Sequence, residues 1–217
     1  MGGPTLLKVL GGVAVGVAVL CNLPSNPFIP RPKPATLSYL AETELQTIGS
    51  TPRKFKASEL WENTGAVIMV VRRPGCALCR EEAVELARLR PELQLRNIPL
   101  YGVVHETLGV PEFAPYLKGD GIFLDSERRF YGPQERWMFI SGFLRASVWS
   151  NIVRNWKKEI DGNLDGEGRL LGGVFVMGPG KQGILYEYRE KEFGDQANIT
   201  DIVNAIRKIA PAASNKS

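Results

Sequence analysis

The chain has 217 residues, 44% of them hydrophobic and 23% charged, enough to build one sizeable core with appendages. Its net charge of +4 is mild and its Lys and Arg residues are scattered, so no nucleic-acid-binding stripe exists. Three cysteines are too few for a secreted disulfide scaffold, and a Cys-x-x-Cys in so cysteine-poor a chain fits a reducing compartment.

Residues 1–23 form a hydrophobic segment. Leu6 to Leu23 is almost wholly apolar, with Lys8 as its one charge, but it only approaches the roughly 20 residues that span a hydrocarbon core. It reads as a weak membrane anchor or a signal-like core, with a helix buried on the domain as the alternative. "MGGPTL" lacks the Ser or Thr of an N-myristoylation site. Residues 24–34 hold five prolines and read as an extended spacer. The folded domain is expected over residues 35–210 and a disordered tail over 211–217.

Within the domain, "TLSYLAETELQTI" places Leu37, Leu40, Leu45 and Ile48 at near-helical spacing and predicts an amphipathic helix. "KASELWENTG" predicts a short helix with Ser58 as its cap and Gly65 as its stop. "AVIMVVRR" is a continuous β-branched run, the pattern of a strand buried on both faces. "CREEAVELARLRPEL" predicts a helix and "IPLYGVVHE" a second buried strand, giving a right-handed βαβ crossover. A short helix over "PEFAPYLKG" and a short strand from "GIFL" follow. The longest helical pattern runs from Trp137 to Ile160, with Phe139, Phe143, Leu144, Val148, Ile152 and Trp156 expected to face the core; the alternative is that the aromatic-rich part from Trp137 to Trp156 lies on a membrane or covers the thiols. A glycine-rich loop, a hairpin of "VFVMG" and "GILYEYRE", and a last helix capped by Asn198 or Thr200 complete the domain. The fold class is therefore α/β, a thioredoxin-like mixed central sheet flanked by helices.

The chemistry concentrates in "VVRRPGCALCREEA". A strand ending at Arg73, a Pro74-Gly75 turn and a helix starting near Cys76 place Cys76 and Cys79 at a helix N-terminus. Unpartnered N–H groups and the macrodipole there favour a thiolate over a thiol. Arg72, Arg73 and Arg80 reinforce that effect, while Glu81 and Glu82 oppose it. Two intervening residues let both sulfurs approach bonding distance, so one can attack an oxidised sulfur or a peroxide and the other can resolve the product. Two inert cysteines in a turn are the bland alternative. Zinc needs two further ligands, yet Cys21 lies beyond the spacer and His105 is the only histidine, so no metal is expected. His105 reads as a strand-end residue rather than a general base. "LDGEGRLLGG" has no Gly-Lys-Ser/Thr and resembles no phosphate loop.

The blocks "GAVIMVVRRPGCALCREEA", "IFLDSERRFYGP" and "GNLDGEGRLLGGVFVMGPGKQGILYEYREKEFGD", with the N-terminal hydrophobic segment, resemble the redox-regulatory peroxiredoxin-like 2 family of the thioredoxin-like superfamily, from about Leu37 to Ile209. A related protein, the prostamide/prostaglandin F synthase, shares the Cys-x-x-Cys but lacks the hydrophobic segment. The resemblance implies an antioxidant, redox-regulatory protein of the cytoplasm, with secretion or membrane association as alternatives. It implies Cys76 and Cys79 as the redox-active pair, with no cofactor beyond an external thiol reductant such as thioredoxin or glutathione. Its partners would be thiols, disulfides and peroxides, with weak membrane association through residues 6–23 and no nucleic acid. Peroxiredoxins carry Pro-x-x-x-Thr-x-x-Cys; counted back from Cys79, Cys76 stands at the threonine position and Arg72 at the proline position. That departure points to thioredoxin-type dithiol exchange rather than fast peroxide reduction. Thioredoxin logic makes Cys76 the attacking sulfur, and the alignment makes it Cys79; Cys76 is the expectation. Two alternatives stay open: a prostaglandin-endoperoxide reductase, and a tethered or secreted binding module with incidental thiols.

Overall fold

A computed structural model describes residues 16–17, 19–23 and 30–210 of the chain. Its centre is one seven-stranded mixed sheet in the order β2-β1-β5-β4-β3-β6-β7. The strands are β1 (Glu44–Thr47), β2 (Lys54–Lys56), β3 (Ala66–Val71), β4 (Leu100–Val104), β5 (Gly121–Leu124), β6 (Gly173–Met177) and β7 (Ile184–Arg189). β3, β4 and β5 run parallel, while β6 pairs antiparallel with β3 and β7 with β6. The expected βαβ half and hairpin half are therefore both present and meet at β3.

The helices are α1 (Leu37–Ala41), α2 (Ala77–Ala87), α3 (Arg90–Leu95), α4 (Val110–Leu117), α5 (Ala146–Trp156) and α6 (Ile199–Ile206). β3 explains the layering. All six of its residues are buried, and their period of two sends alternate side chains to opposite faces. Val67, Met69 and Val71 pack with Cys76, Cys79, Ala83 and Leu86 under α2. Ala66, Ile68 and Val70 join Leu40, Trp61, Phe130 and Phe175 on the other side.

Several sequence expectations need correction. The helix read over residues 36–48 stops at Ala41, and Glu44–Thr47 instead becomes β1, hydrogen-bonded to β2 and β5. Leu45 is buried as a strand residue, so its helical spacing from Leu40 was coincidental. The helix read through "CREEAVELARLRPEL" is two, because Pro91 lacks an N–H and opens α3 at its first turn. The segment read over 56–65 is a 3-10 turn, Ala57–Leu60, entered from Lys56 rather than capped by Ser58. Gly65 does not stop it, since the 3-10 turn closes at Leu60 with Trp61 as its C-cap; Gly65 instead ends the turn over 61–64 before β3, at φ +74 with Met177 O only 2.5 Å from where a Cβ would sit. The long helix read from Trp137 is only α5, preceded by a 3-10 turn at Ile140–Leu144. Phe139, Phe143, Leu144 and Trp156 are exposed there, not core-facing. Asn198 caps α6 as expected, its side chain accepting from the N–H groups of Thr200 and Asp201.

Most of the N-terminal segment and spacer, and the tail from 211, lie outside the described residues. Residues 19–22 are helical, and no described helix is long and apolar enough to cross a membrane. This piece docks on the domain: Arg145 donates to Cys21 O at 2.7 Å, Asn22 Nδ2 to Leu144 O at 2.7 Å, and the Ala146 N–H to Asn22 Oδ1 at 2.9 Å.

The C-terminal ends of β3 and β4 are tied by one side chain. Buried Tyr131 donates its hydroxyl to Val71 O at 2.7 Å and lies 3.3 Å from Val103 O. Tyr131→Phe is expected to lower unfolding free energy by about 1–3 kcal/mol, since the hydroxyl's partners stay buried. Urea denaturation of parent and variant checks it.

Candidate redox site

The site begins where β3 ends. After Val71 the chain turns through Arg72–Gly75, and Cys76 is the N-cap residue of α2 with extended backbone, φ −78 and ψ 125. Cys76 makes no side-chain cap hydrogen bond, but the Cys79 backbone N–H of the first turn still favours its thiolate, in line with the expected support. The turn is covered by the glycine-rich segment 161–168. The Asn163 N–H donates to Gly75 O at 2.7 Å, and a Cβ on Gly162 would fall 2.4 Å from the Ala77 nitrogen. Only glycine permits that approach.

Three arginines hold this cover. Arg72 Nη1 donates to Gly168 O at 2.8 Å, Arg73 Nη2 to Asn163 O at 2.9 Å, and Arg80 Nη1 to Asp161 O at 2.9 Å. Arg72 alone also reaches a thiol: its Nη2 lies 3.0 Å from Cys76 Sγ. The same guanidinium stacks 4.8 Å from the Phe193 ring centroid, and its Nε is 3.6 Å from Glu190 Oε2. Glu190 in turn accepts the Gly172 N–H at 2.8 Å.

Both cysteines are free thiols and do not stand at disulfide distance, so the expectation of two sulfurs within bonding reach is not met in this state. Their environments differ. The Cys79 thiol, directed at the Cys76 sulfur, and then the Arg72 guanidinium draw Cys76 well below the ordinary thiol range, against the opposing effect of burial. Giving up that hydrogen bond, together with burial, pushes Cys79 well above it. Burial works against the Arg72 cation, yet Cys76, Cys79 and Glu190 together raise its pKa. Cys76 is 6% exposed and lines a cavity of about 730 Å³ with Arg73, Leu78, Phe143, Ile152 and Phe193. Cys79 is 2% exposed and lies behind it.

The opposing carboxylates are neutralised in two ways. Glu81 is salt-bridged to Arg154 at 2.8 Å and Lys158 at 2.9 Å. Glu82 accepts the Ala197 N–H, and burial followed by the nearby Glu190 pushes it up to about 8. Burial likewise pushes Glu190 up to about 7 against the pull of Arg72. His105 meets the Arg72 carbonyl at 2.9 Å and packs edge-on against Tyr131. It anchors the turn. Among the described residues, no group of three or more His, Cys, Asp or Glu is arranged to hold a metal ion.

Sequence reasoning placed Cys76, Cys79 and Arg72 together but missed Glu190, Phe193 and the role of the 161–168 loop. The only signal for them was the block "REKEFGD", which carries Glu190 and Phe193.

A mixed sheet with a thiol turn after its central strand defines a thioredoxin-fold protein of the peroxiredoxin type. Two solved structures share this fold at 13% identity and TM-score 0.51. They are reduced Prx3 from Vibrio vulnificus in complex with H2O2 (80% of this chain, 99% of that one) and a peroxiredoxin-like protein from Aquifex aeolicus (87% and 96%). The family model for the AhpC/TSA antioxidant enzyme matches residues 85–192, a span that begins beyond Cys79. Peroxiredoxin-like 2A of Bos taurus is 54% identical over 209 residues, covering 94% of this chain and 95% of that protein. The Homo sapiens protein of that name is 52% identical over 206 residues, covering 93% and 90%. The chain belongs to the peroxiredoxin-like 2A family.

Two predictions follow the electrostatics. Arg72→Met removes the cation beside Cys76, so the pH at which Cys76 is half-alkylated by iodoacetamide should rise by at least about one unit. The second concerns stability. A carboxyl with a raised folded pKa costs nothing below its unfolded value of about 4.3 and progressively more as pH climbs through the folded one. Cys76, with its lowered pKa, works the other way: its contribution is present above the unfolded thiol value and is lost as pH falls through the folded one. Glu82→Gln keeps the acceptor for the Ala197 N–H, so the variant should gain on the parent between about pH 5 and 8. Urea denaturation of both at the two ends of that range measures it.

Proposed function

We propose that this protein is a thiol-dependent oxidoreductase in which Cys76 attacks and Cys79 resolves. The observation that carries the reading is the 3.0 Å contact of buried Arg72 with Cys76 Sγ, at the base of a cavity that Cys79 does not line. The Cys76 thiolate attacks a disulfide; a new S–S bond forms, the old one breaks, and the departing sulfur takes a proton. Cys79 then loses its proton, attacks the Cys76 sulfur and releases the second thiol. The dithiol has given up two electrons and become a disulfide. A peroxide would instead leave Cys76 as a sulfenic acid, which Cys79 condenses with loss of water. Closing the Cys76–Cys79 bond requires the start of α2 to shift, and an external dithiol or glutathione-type thiol restores the reduced pair. No prosthetic group enters the scheme.

The cavity favours a second substrate class within the same chemistry. At about 730 Å³ and walled by Leu78, Phe143, Val148, Ile152 and Phe193, it far exceeds what hydrogen peroxide needs. A bulky apolar peroxide, such as a prostaglandin endoperoxide, would bring its O–O bond to Cys76 in the same way. The reading places the protein in the cytoplasm, in keeping with its three free cysteines, with weak membrane association through residues 6–23; secretion is the alternative.

Trapping separates the roles of the sulfurs. Cys79→Ser should accumulate a mixed disulfide with a thiol probe at Cys76, because nothing resolves it. Accumulation in Cys76→Ser instead would assign the attack to Cys79. The parent couple should show a reduction potential of roughly −200 to −300 mV, within the range of cellular thiol systems.

A further inference from the structure

α5 carries two apolar stripes. Val148 and Ile152 face inward, with Val148 fully buried. Trp149, Val153 and Trp156 recur at i, i+4 and i+7 on another side and face out, with Trp149 55% and Trp156 81% exposed. Phe143 and Leu144, just before the helix, are also exposed, and the Phe143 ring lies 6.5 Å from that of Trp149. The docked N-terminal piece adds to this surface. Asn22 is bonded to Leu144 and Ala146, and Cys21 is buried, yet Val19, Leu20 and Leu23 are exposed. The mouth of the Cys76 cavity opens beside it, since Phe143 belongs to both.

We propose that this face, formed by Trp149, Val153 and Trp156 with Phe143, Leu144 and the N-terminal residues, is a docking surface for the lipid bilayer. Eight large apolar side chains exposed together are the mark of a binding surface rather than ordinary scatter. Three observations select a bilayer as occupant. The chain's own N-terminal segment does not cover the face where it is seen; it extends it with Val19, Leu20 and Leu23. Residues 6–15, which precede that segment in the sequence, are themselves almost wholly apolar, so the chain carries more hydrocarbon next to it in sequence. Tryptophan, with its apolar ring and N–H, is enriched where hydrocarbon meets headgroups, and the net charge of +4 with exposed Lys157 suits an anionic headgroup layer. The proposal extends the association through residues 6–23 to the folded domain, and it does not depend on the thiol chemistry. Its consequence is that a molecule dissolved in the bilayer meets the Cys76 cavity without crossing water.

The test uses the full chain and vesicles of phosphatidylcholine with phosphatidylserine. Flotation and quenching of tryptophan emission by brominated phosphatidylcholine are read for the parent, for Trp149→Ser/Trp156→Ser, and for Val13→Asp/Val17→Asp. The parent should be quenched, and the double serine variant should lose quenching and at least about tenfold in vesicle affinity. Its Cys76 alkylation rate should stay within about twofold of the parent's, because neither tryptophan lines the cavity, and its melting temperature should fall only slightly, since Trp149 gives up one exposed hydrogen bond to Phe143 O. A parent that floats without quenching, or a serine variant that binds as tightly, overturns the docking face and leaves the N-terminal anchor standing. Full affinity in the aspartate variant overturns the anchor alone. Concentration-dependent dimerisation without lipid, abolished by the serine variant, would assign the face to a second copy and overturn the proposal.

Discussion

One guanidinium organises the site. Arg72 is almost fully buried, and taking its charge out of water is costly unless every side of it is answered. Here the Gly168 carbonyl, the Phe193 ring and the Cys76 sulfur meet it, and the one gap is its buried Nε, which has no hydrogen bond and faces Glu190 Oε2 at 3.6 Å as an ion pair. The sulfur and carboxyl are acidic groups drawing on a single cation. Where the cation leans determines which of them carries the negative charge. Its closest charged contact is the sulfur, at 3.0 Å against 3.6 Å to Glu190 Oε2.

The fold serves that contact from both ends. β3 delivers Arg72 to the core because its six residues are buried on both faces and cannot move laterally without breaking ladders to β4 and β6. The hairpin of β6 and β7 delivers Glu190 just past Arg189, opposite Gly172. The 161–168 loop then seals the turn, and its glycines let it lie against Gly75 and Ala77. Beneath α2 the second acidic group, Glu82, shares the low-dielectric interior with Glu190; burial and then Glu190 raise Glu82, and burial raises Glu190. Because both carboxyls are shifted toward the proton-bound form, the single cation has less negative charge to answer.

Much of this was legible in the sequence because local patterns report local constraints. The β-branched run Ala66–Val71, the Pro74-Gly75 turn and the Asn198 cap each carried their own signal and stand where they were read. The failures share a cause as well. Leu37–Ile48 and Phe139–Trp156 have helical apolar spacing, but spacing records only which side chains could share a face. Pairing with β2 and β5 converted the second half of the first into a strand, and a 3-10 turn around Gly142 cut the second. Arg72 and Glu190 lie far apart in the chain, so nothing local joins them. The helix N-terminus was credited with the thiolate; the Cys79 backbone N–H of that first turn does contribute, but the Cys79 thiol and a buried arginine act more strongly.

The central claim is an inversion of acidity between two neighbouring thiols, and site-resolved titration reads it directly. With the chain labelled at cysteine Cβ carbons, carbon-13 shifts followed from acid to alkaline pH give each sulfur its own curve. The account predicts that Cys76 ionises well below a free thiol's value of about 8.5 while Cys79 stays protonated beyond it. A titration in which Cys79 ionises first, or both follow the unperturbed curve, would contradict it.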